Sequence, residues 1–215
     1  MSDFFISADL GQASDYTAIT IIERRNTTAL ESERPYYLRH IERPERGTPY
    51  PVVVERLREL SSSKQLAGGL RTVVIDRTGV GAPVWDMMQR AYFNARLAGI
   101  LITGGANVTR DGSIYHVPKR DLIMALLVAL QNGQLRIAKG LPLADVLIKE
   151  MLNFKVRISQ SGNDQYEAWR ESAHDDIVLS AAMGVWLASQ QIHGVIPSGF
   201  RPAGSNNYPS YTVIP

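Results

Sequence analysis

The chain has 215 residues, 45% of them hydrophobic and 20% charged, an ordinary globular composition for one domain or two small ones. It contains no cysteine, which excludes disulfides, thiolate nucleophiles and cysteine-based zinc sites. The formal charge is +2, from 23 Lys and Arg against 21 Asp and Glu, so composition alone does not announce a nucleic-acid partner, although clustered bases can still supply one.

The chain opens with a short apolar run, Phe4 to Ala8, that ends in Asp9-Leu10-Gly11 and reads as a buried strand meeting a turn. Tyr16 to Glu23 is rich in β-branched residues and reads as a second strand, and Tyr36 to Ile41 as a third. Their short connections predict an antiparallel meander. The pattern then changes to alternating helices and strands, which predicts a partly parallel sheet. Pro51 to Leu60 is helical by spacing, Thr72 to Ile75 is a strand stopping at Asp76-Arg77-Thr78-Gly79, Gly81 to Tyr92 is helical, and Gly99 to Thr103 is a strand. Lys119 to Gln131 carries Leu122, Leu126 and Leu130 at i, i+4 spacing, the clearest amphipathic helix in the chain. A further helix covers Leu143 to Phe154. Lys155 to Ile158 and Gln165 to Arg170 then flank a Gly/Asn-containing turn, as in a hairpin. The last helix runs from about His174 to Gln191. Residues 1–193 read as one domain, and 194–215, with Pro197, Pro202, Pro209 and Pro215, as a mobile tail. No apolar run approaches the roughly 18 residues of a membrane span. Met1-Ser2-Asp3-Phe4-Phe5 lacks the basic start of a secretory signal, so a soluble, cytoplasmic protein is expected.

Three acidic sites stand where apolar elements end: Asp9 after the first strand, Asp76 after the fourth, and Asp175-Asp176 at the start of the last helix. Sites in α/β sheets assemble at such strand ends. If the first and fourth strands are parallel neighbours, Asp9 and Asp76 lie side by side and repel unless a cation stands between them. Hard divalent cations take oxygen ligands, and two such ions suit phosphodiester cleavage. The competing reading makes Asp9 and Asp76 turn formers and Asp175 or Asp176 a helix cap. Of that pair, Asp176 is the favoured ligand and Asp175 its support. Asp15 lies across the first turn, facing the site or capping the turn, and His174 orients a water or phosphate or caps the helix. Asp76 to Gly81 is Gly-rich but lacks the Gly-Lys-Ser/Thr of a Walker loop. Lys119 and Arg120 begin a helix where its dipole disfavours cations, so they are either phosphate contacts or a solvated first turn. Lys155, Arg157 and Arg170 on the hairpin, and Arg77 beside Asp76, are candidates for gripping a DNA backbone. Trp85, Tyr115 and Trp169 read as packing residues.

Four motifs together, Asp9-Leu10-Gly11…Asp15-Tyr16-Thr17-Ala18, Val74-Ile75-Asp76-Arg77-Thr78-Gly79-Val80-Gly81, Val117-Pro118-Lys119-Arg120-Asp121-Leu122 and His174-Asp175-Asp176, resemble the nuclease domain of the large terminase subunit of tailed phages over residues 4–192. The resemblance implies an α/β, RNase H-like (retroviral integrase superfamily) fold: a mixed five-stranded sheet, antiparallel meander plus parallel strands, flanked by helices with a β-hairpin extension beside the groove. It implies an Mg²⁺- or Mn²⁺-dependent endonuclease, with two ions, that cuts double-stranded DNA with low sequence specificity during genome packaging. By motif, Asp9, Asp76, Asp175 and Asp176 are then the metal-binding and catalytic carboxylates, with Asp15, His174 and Lys119 in support. Such proteins normally carry an ATPase domain before the nuclease; this chain begins at its first strand, so the ATPase and the portal are expected as partners. Competing readings are a junction-resolving endonuclease of the same fold group, an actin-like ATPase domain, for which 215 residues are short, and a non-catalytic interaction module docking through its tail.

Overall fold

The computed structural model describes residues 2–11, 15–25, 34–157 and 175–190. Among these, one mixed sheet contains β1 (Ser2–Asp9), β2 (Ala18–Arg25), β3 (Tyr36–Glu42), β4 (Leu70–Asp76), β5 (Arg96–Thr103), β6 (Thr109–Asp111), β7 (Ile114–Pro118) and β8 (Leu135–Ile137). Its spatial order is β6-β7-β5-β4-β1-β2-β3-β8. The helices are α1 (Tyr50–Ser61), α2 (Gly81–Arg90), α3 (Lys119–Gln131), α4 (Ala144–Arg157) and α5 (Asp176–Gln190). None of the described helices is long and apolar enough to cross a membrane.

The expected meander is present: β1 pairs with β2, and β2 with β3, both antiparallel. β4 then lies parallel to β1, and β5 parallel to β4, so the β-branched run Thr72 to Ile75 sits at the centre of the sheet. The sheet is wider than the five strands expected. β7 adds in parallel to β5, β6 folds back on β7, and β8 adds in parallel to β3. The β6–β7 turn is made by Gly112-Ser113 with Gly112 at φ 58°, a signal of the Asp-Gly kind that three- and five-residue strands leave without a period to accompany it. A second departure lies in α4, which continues through Arg157, so Lys155 to Arg157 are helical and not a hairpin strand. No Gly or Pro interrupts Asn153 to Arg157, and Lys and Arg propagate a helix well. The rest of the hairpin and the tail lie outside the described residues.

Alternation along the strands covers both faces. Phe5, Ile22, Val74 and Ile100 pack with α3 and α5, whereas Ile6, Ala8, Ile19, Val73 and Ile75 pack with α1 and α2. α5 is buried at every residue from Asp176 to Ala188, as a helix apolar all round must be. Small residues let it approach the sheet closely. Ser180 Oγ donates to the carbonyl of Ser7 at 2.9 Å and lies 2.9 Å from Thr20 Oγ1. A Cβ on Gly184 would stand 2.5 Å from Ser7 Oγ and 3.0 Å from Ile22 Cγ1. At the far end, Arg24 donates to the carbonyl of Ala188 and pairs with Asp3 at 3.1 Å. α5 therefore runs antiparallel to β1, and its N-terminus comes to the sheet edge where β1 and β4 end.

Gly184→Leu should force α5 off the sheet. Overpacking of this kind costs about 1–3 kcal/mol, and in a chain of this size each kcal/mol lowers Tm by about 2–4 °C. A thermal melt followed by circular dichroism checks it; an unchanged Tm would contradict the close seat of the helix.

Candidate active site

The register of the central strands brings the first two acids together. Ala8 stands opposite Ile75 in the parallel β1–β4 ladder, so Asp9 and Asp76 follow as neighbours on strands about 4.7–4.9 Å apart. Alternation sends both side chains to the α3/α5 face, because Ser7 meets α5 there and Val74 packs in the same core. The third acid arrives on the helix. Asp176 lies one turn before Ser180, about 6 Å along the axis, while Ser7 to Asp9 spans about 6.6 Å of strand; Asp176 is thus carried over Asp9. Asp175 precedes it, its carbonyl accepting the first helical bond from Leu179 N at 2.8 Å.

The four carboxylates share one field. Burial pushes the Asp9 carboxyl well above its ordinary value of 3.8, and the charges of Asp76, Asp176 and Asp175 raise it further, in that order, against the lowering effect of Lys119. Two cations answer this excess. Lys119, the first residue of α3, donates from Nζ to Asp175 Oδ2 at 2.8 Å, which accounts for a cation placed against its own helix dipole. Asp176 is only 7% exposed and is reached by Arg43 Nη2 at 3.3 Å; the same nitrogen stands 2.6 Å from Glu150 Oε1. The other oxygen of Glu150 accepts from Val178 N at 3.1 Å, satisfying a first-turn N–H of α5 from a different helix. Burial raises the Glu150 carboxyl, opposed by the Val178 N–H and Arg43, with Asp176 adding to the rise.

Neither Arg43 nor Glu150 is singled out by the sequence. Glu150 did carry a signal: it shares the inward helical spacing of buried Leu147 and Met151, where a polar residue needs a partner. Arg43 carried none, standing just past β3 in a polar stretch.

The turns that hold the acids depend on two glycines. Asp76 Oδ1 accepts from Thr78 N at 2.7 Å, and Thr78 Oγ1 from Ile102 N at 3.0 Å. A Cβ on Gly81 would lie 1.9 Å from the Asp76 carbonyl oxygen. The turn-forming reading of Asp76 is thus satisfied through one oxygen while the carboxylate still faces Asp9. A Cβ on Gly11 would meet the backbone of Tyr16 at 2.4 Å; there Gly11 N donates to Thr17 Oγ1 at 3.2 Å and Tyr50 Oη to the Gly11 carbonyl at 3.1 Å.

Other sequence candidates are placed differently. Asp15 is exposed on the turn and is not among the charges acting on Asp9. Arg77 leaves the sheet on the α1/α2 face, where its Cδ, Trp85 and Ile114 surround Gly99. It is turned away from the carboxylates because neighbouring residues at a strand end point to opposite faces. Arg120 is exposed beside Asp121 at 3.3 Å. Trp85 is buried, and Tyr115 meets Trp186 edge-on at 5.5 Å. The side chains of Lys155 and Arg157, together with Trp169, Arg170 and His174, lie outside the described residues.

Among the described residues no three His, Cys, Asp or Glu side chains stand together in ready coordination; Asp175 and Asp176 engage Lys119 and Arg43 instead. The donor set nonetheless suits a hard divalent cation, which takes carboxylate oxygens, and the raised Asp9 carboxyl marks the surplus negative charge that such an ion offsets.

The mixed sheet, with its meander, parallel neighbours and buried closing helix, is an RNase H-like fold. More particularly, it is the fold of terminase nuclease domains. The large terminase nuclease from thermophilic phage G20c superposes with a TM-score of 0.53 at 20% identity, covering 85% of this chain and 81% of that one. The human cytomegalovirus terminase nuclease domain, solved after a manganese soak, superposes with a TM-score of 0.53 at 11% identity, covering 92% and 87%. No protein-family model matches the sequence, and no curated protein does.

The raised Asp9 carboxyl has a thermodynamic consequence. A folded-state pKa above the unfolded one means the native state holds the proton more tightly, so this contribution to stability is full below about pH 4 and is lost as pH rises through the folded value. Asp9→Asn, which cannot ionise, should therefore melt a few degrees above the parent protein at pH 7.5 without metal. That margin should close as the pH falls toward 4. Melts across this range check it, and a less stable Asn variant at neutral pH would contradict the repulsion.

Proposed function

We propose that the chain is a Mg²⁺- or Mn²⁺-dependent endonuclease that cuts double-stranded DNA with low sequence specificity, as the nuclease part of a viral genome-packaging terminase. One observation carries the reading: acids from the ends of β1 and β4 and the start of α5 converge on one end of the sheet, where burial raises the carboxyl of Asp9 and the other three charges add to the rise. The fold shared with two terminase nucleases supports it, and the manganese soak of the cytomegalovirus domain supports the choice of ion.

In this reading Asp9, Asp76 and Asp176 hold two divalent cations, and Asp175 supports them. Bound divalent cations there supply the charge that activates water and steadies the leaving oxygen in phosphodiester hydrolysis. The protein's own groups set the frame. The Asp76–Thr78 turn fixes one carboxylate relative to the sheet, and the buried first turn of α5 fixes another. Lys119 holds Asp175 and brings a positive charge to the rim where a phosphate approaches. Arg120, on the exposed side of the same helical turn, grips the backbone together with Arg77, Lys155, Arg157 and Arg170. Contacts to phosphates carry no base information, hence the low specificity. Asp15 and His174 act in support at the rim. The domain works in the host cytoplasm beside the terminase ATPase and the portal.

Supercoiled plasmid incubated with the protein and Mg²⁺ or Mn²⁺ should be nicked and linearised. Asp9→Asn, Asp76→Asn and Asp176→Asn should each reduce cutting to the metal-free background while keeping a native circular dichroism spectrum, and EDTA should stop the parent protein. Undiminished cutting in EDTA, or by any of the three variants, would sink the proposal.

A further inference from the structure

Beside Asp176 lies a buried cluster of two acids and one arginine. A single guanidinium nitrogen, Arg43 Nη2, stands between two carboxylates, 2.6 Å from Glu150 and 3.3 Å from Asp176. All three side chains are largely withdrawn from water, at 13%, 7% and 10% exposure. The contact to Glu150 is the shorter of the two and is a hydrogen bond, while that to Asp176 is a longer ion-pair contact. Two acids thus share one guanidinium nitrogen.

Each partner is fixed from elsewhere. Glu150 rides on α4 between buried Leu147 and Met151, and its second oxygen is held by Val178 N, two residues along α5 from Asp176. Arg43 is held from the other side by Tyr16, whose ring centroid lies 4.8 Å from the guanidinium carbon. The distance from Glu150 to Asp176 is thus set through α5 itself, and Arg43 is drawn toward the member of the pair that is not at the carboxylate cluster.

We propose that Glu150 is a positioning residue that keeps Arg43 from neutralising Asp176, and so keeps Asp176 available as a ligand for a divalent cation. The proposal rests on the metal-site reading of Asp9, Asp76 and Asp176. Without the Glu150 charge, Arg43 closes further on Asp176, tightens the ion pair already present at 3.3 Å, and competes more strongly with the cation for that carboxylate. Residues outside the ligand set that orient a ligand characteristically change metal affinity by about 10–100-fold.

The test is calorimetric titration of Mn²⁺ into the protein without DNA, with metal-free melts on the same samples. Glu150→Gln keeps an acceptor for Val178 N and should bind Mn²⁺ at least about tenfold more weakly than the parent. Glu150→Gln combined with Arg43→Met removes the competitor and should restore affinity to near the parent value, a rescue that a purely structural cap would not give. Arg43→Met alone should bind at least as tightly as the parent, and it serves as the independent variant should Glu150→Gln melt without a cooperative transition. Parent-like binding by Glu150→Gln, failure of the double variant to recover, or weakened binding by Arg43→Met would each overturn the proposal while leaving the nuclease reading intact. Absence of Mn²⁺ binding by the parent protein would overturn both.

Discussion

Mutual repulsion among four carboxylates is the constraint around which this molecule is arranged. Asp9, Asp76, Asp175 and Asp176 come to one end of the sheet, where burial raises the carboxyl of Asp9 and the charges of the other three raise it further. Left alone, like charges in a partly buried setting would spread or take up protons. Two rigid supports prevent the spreading. The parallel β1–β4 ladder fixes Asp9 beside Asp76, and α5 is clamped onto that ladder through Ser180 and the bare backbone of Gly184. The cations Lys119 and Arg43 offset part of the charge without removing it.

α5 links packing to chemistry. Its burial on all sides leaves no soft direction in which it could tilt, since close-packed interiors resist displacement. Arg24 fastens its C-terminal end through the Ala188 carbonyl and Asp3, and Glu150 fastens its first turn through Val178 N. A carboxylate at the start of such a helix is delivered with little conformational freedom, which is what ligation of a metal ion demands. A helix N-terminus also attracts negative charge, so the position suits the carboxylates that the helix brings.

Much of this was written in local pattern. The β-branched runs Tyr16 to Glu23 and Thr72 to Ile75 read as strands, the Leu122-Leu126-Leu130 spacing as a helix, and the acids at element ends as a group. Strands of three to five residues, β6 to β8, left no period to read. Lys155 to Arg157 reads as a hairpin strand because a Gly/Asn-containing turn follows it, whereas α4 continues through it as helix. Arg77 looked like a neighbour of Asp76 in the chain but faces the opposite side of the sheet, a consequence of strand pleating that proximity in sequence conceals.

The amino-acid sequence by itself determined where strands and helices end and which ends carry negative charge, because both are local matters of side-chain shape, periodicity and capping. The tertiary structure alone decided which charges meet. Pairing of Ala8 with Ile75, the seating of α5 on Ser7, and the insertion of Arg43 between Glu150 and Asp176 join residues far apart in the chain. Such contacts follow from register and packing, in which a shift of one residue reverses every side chain, and no local pattern encodes that choice.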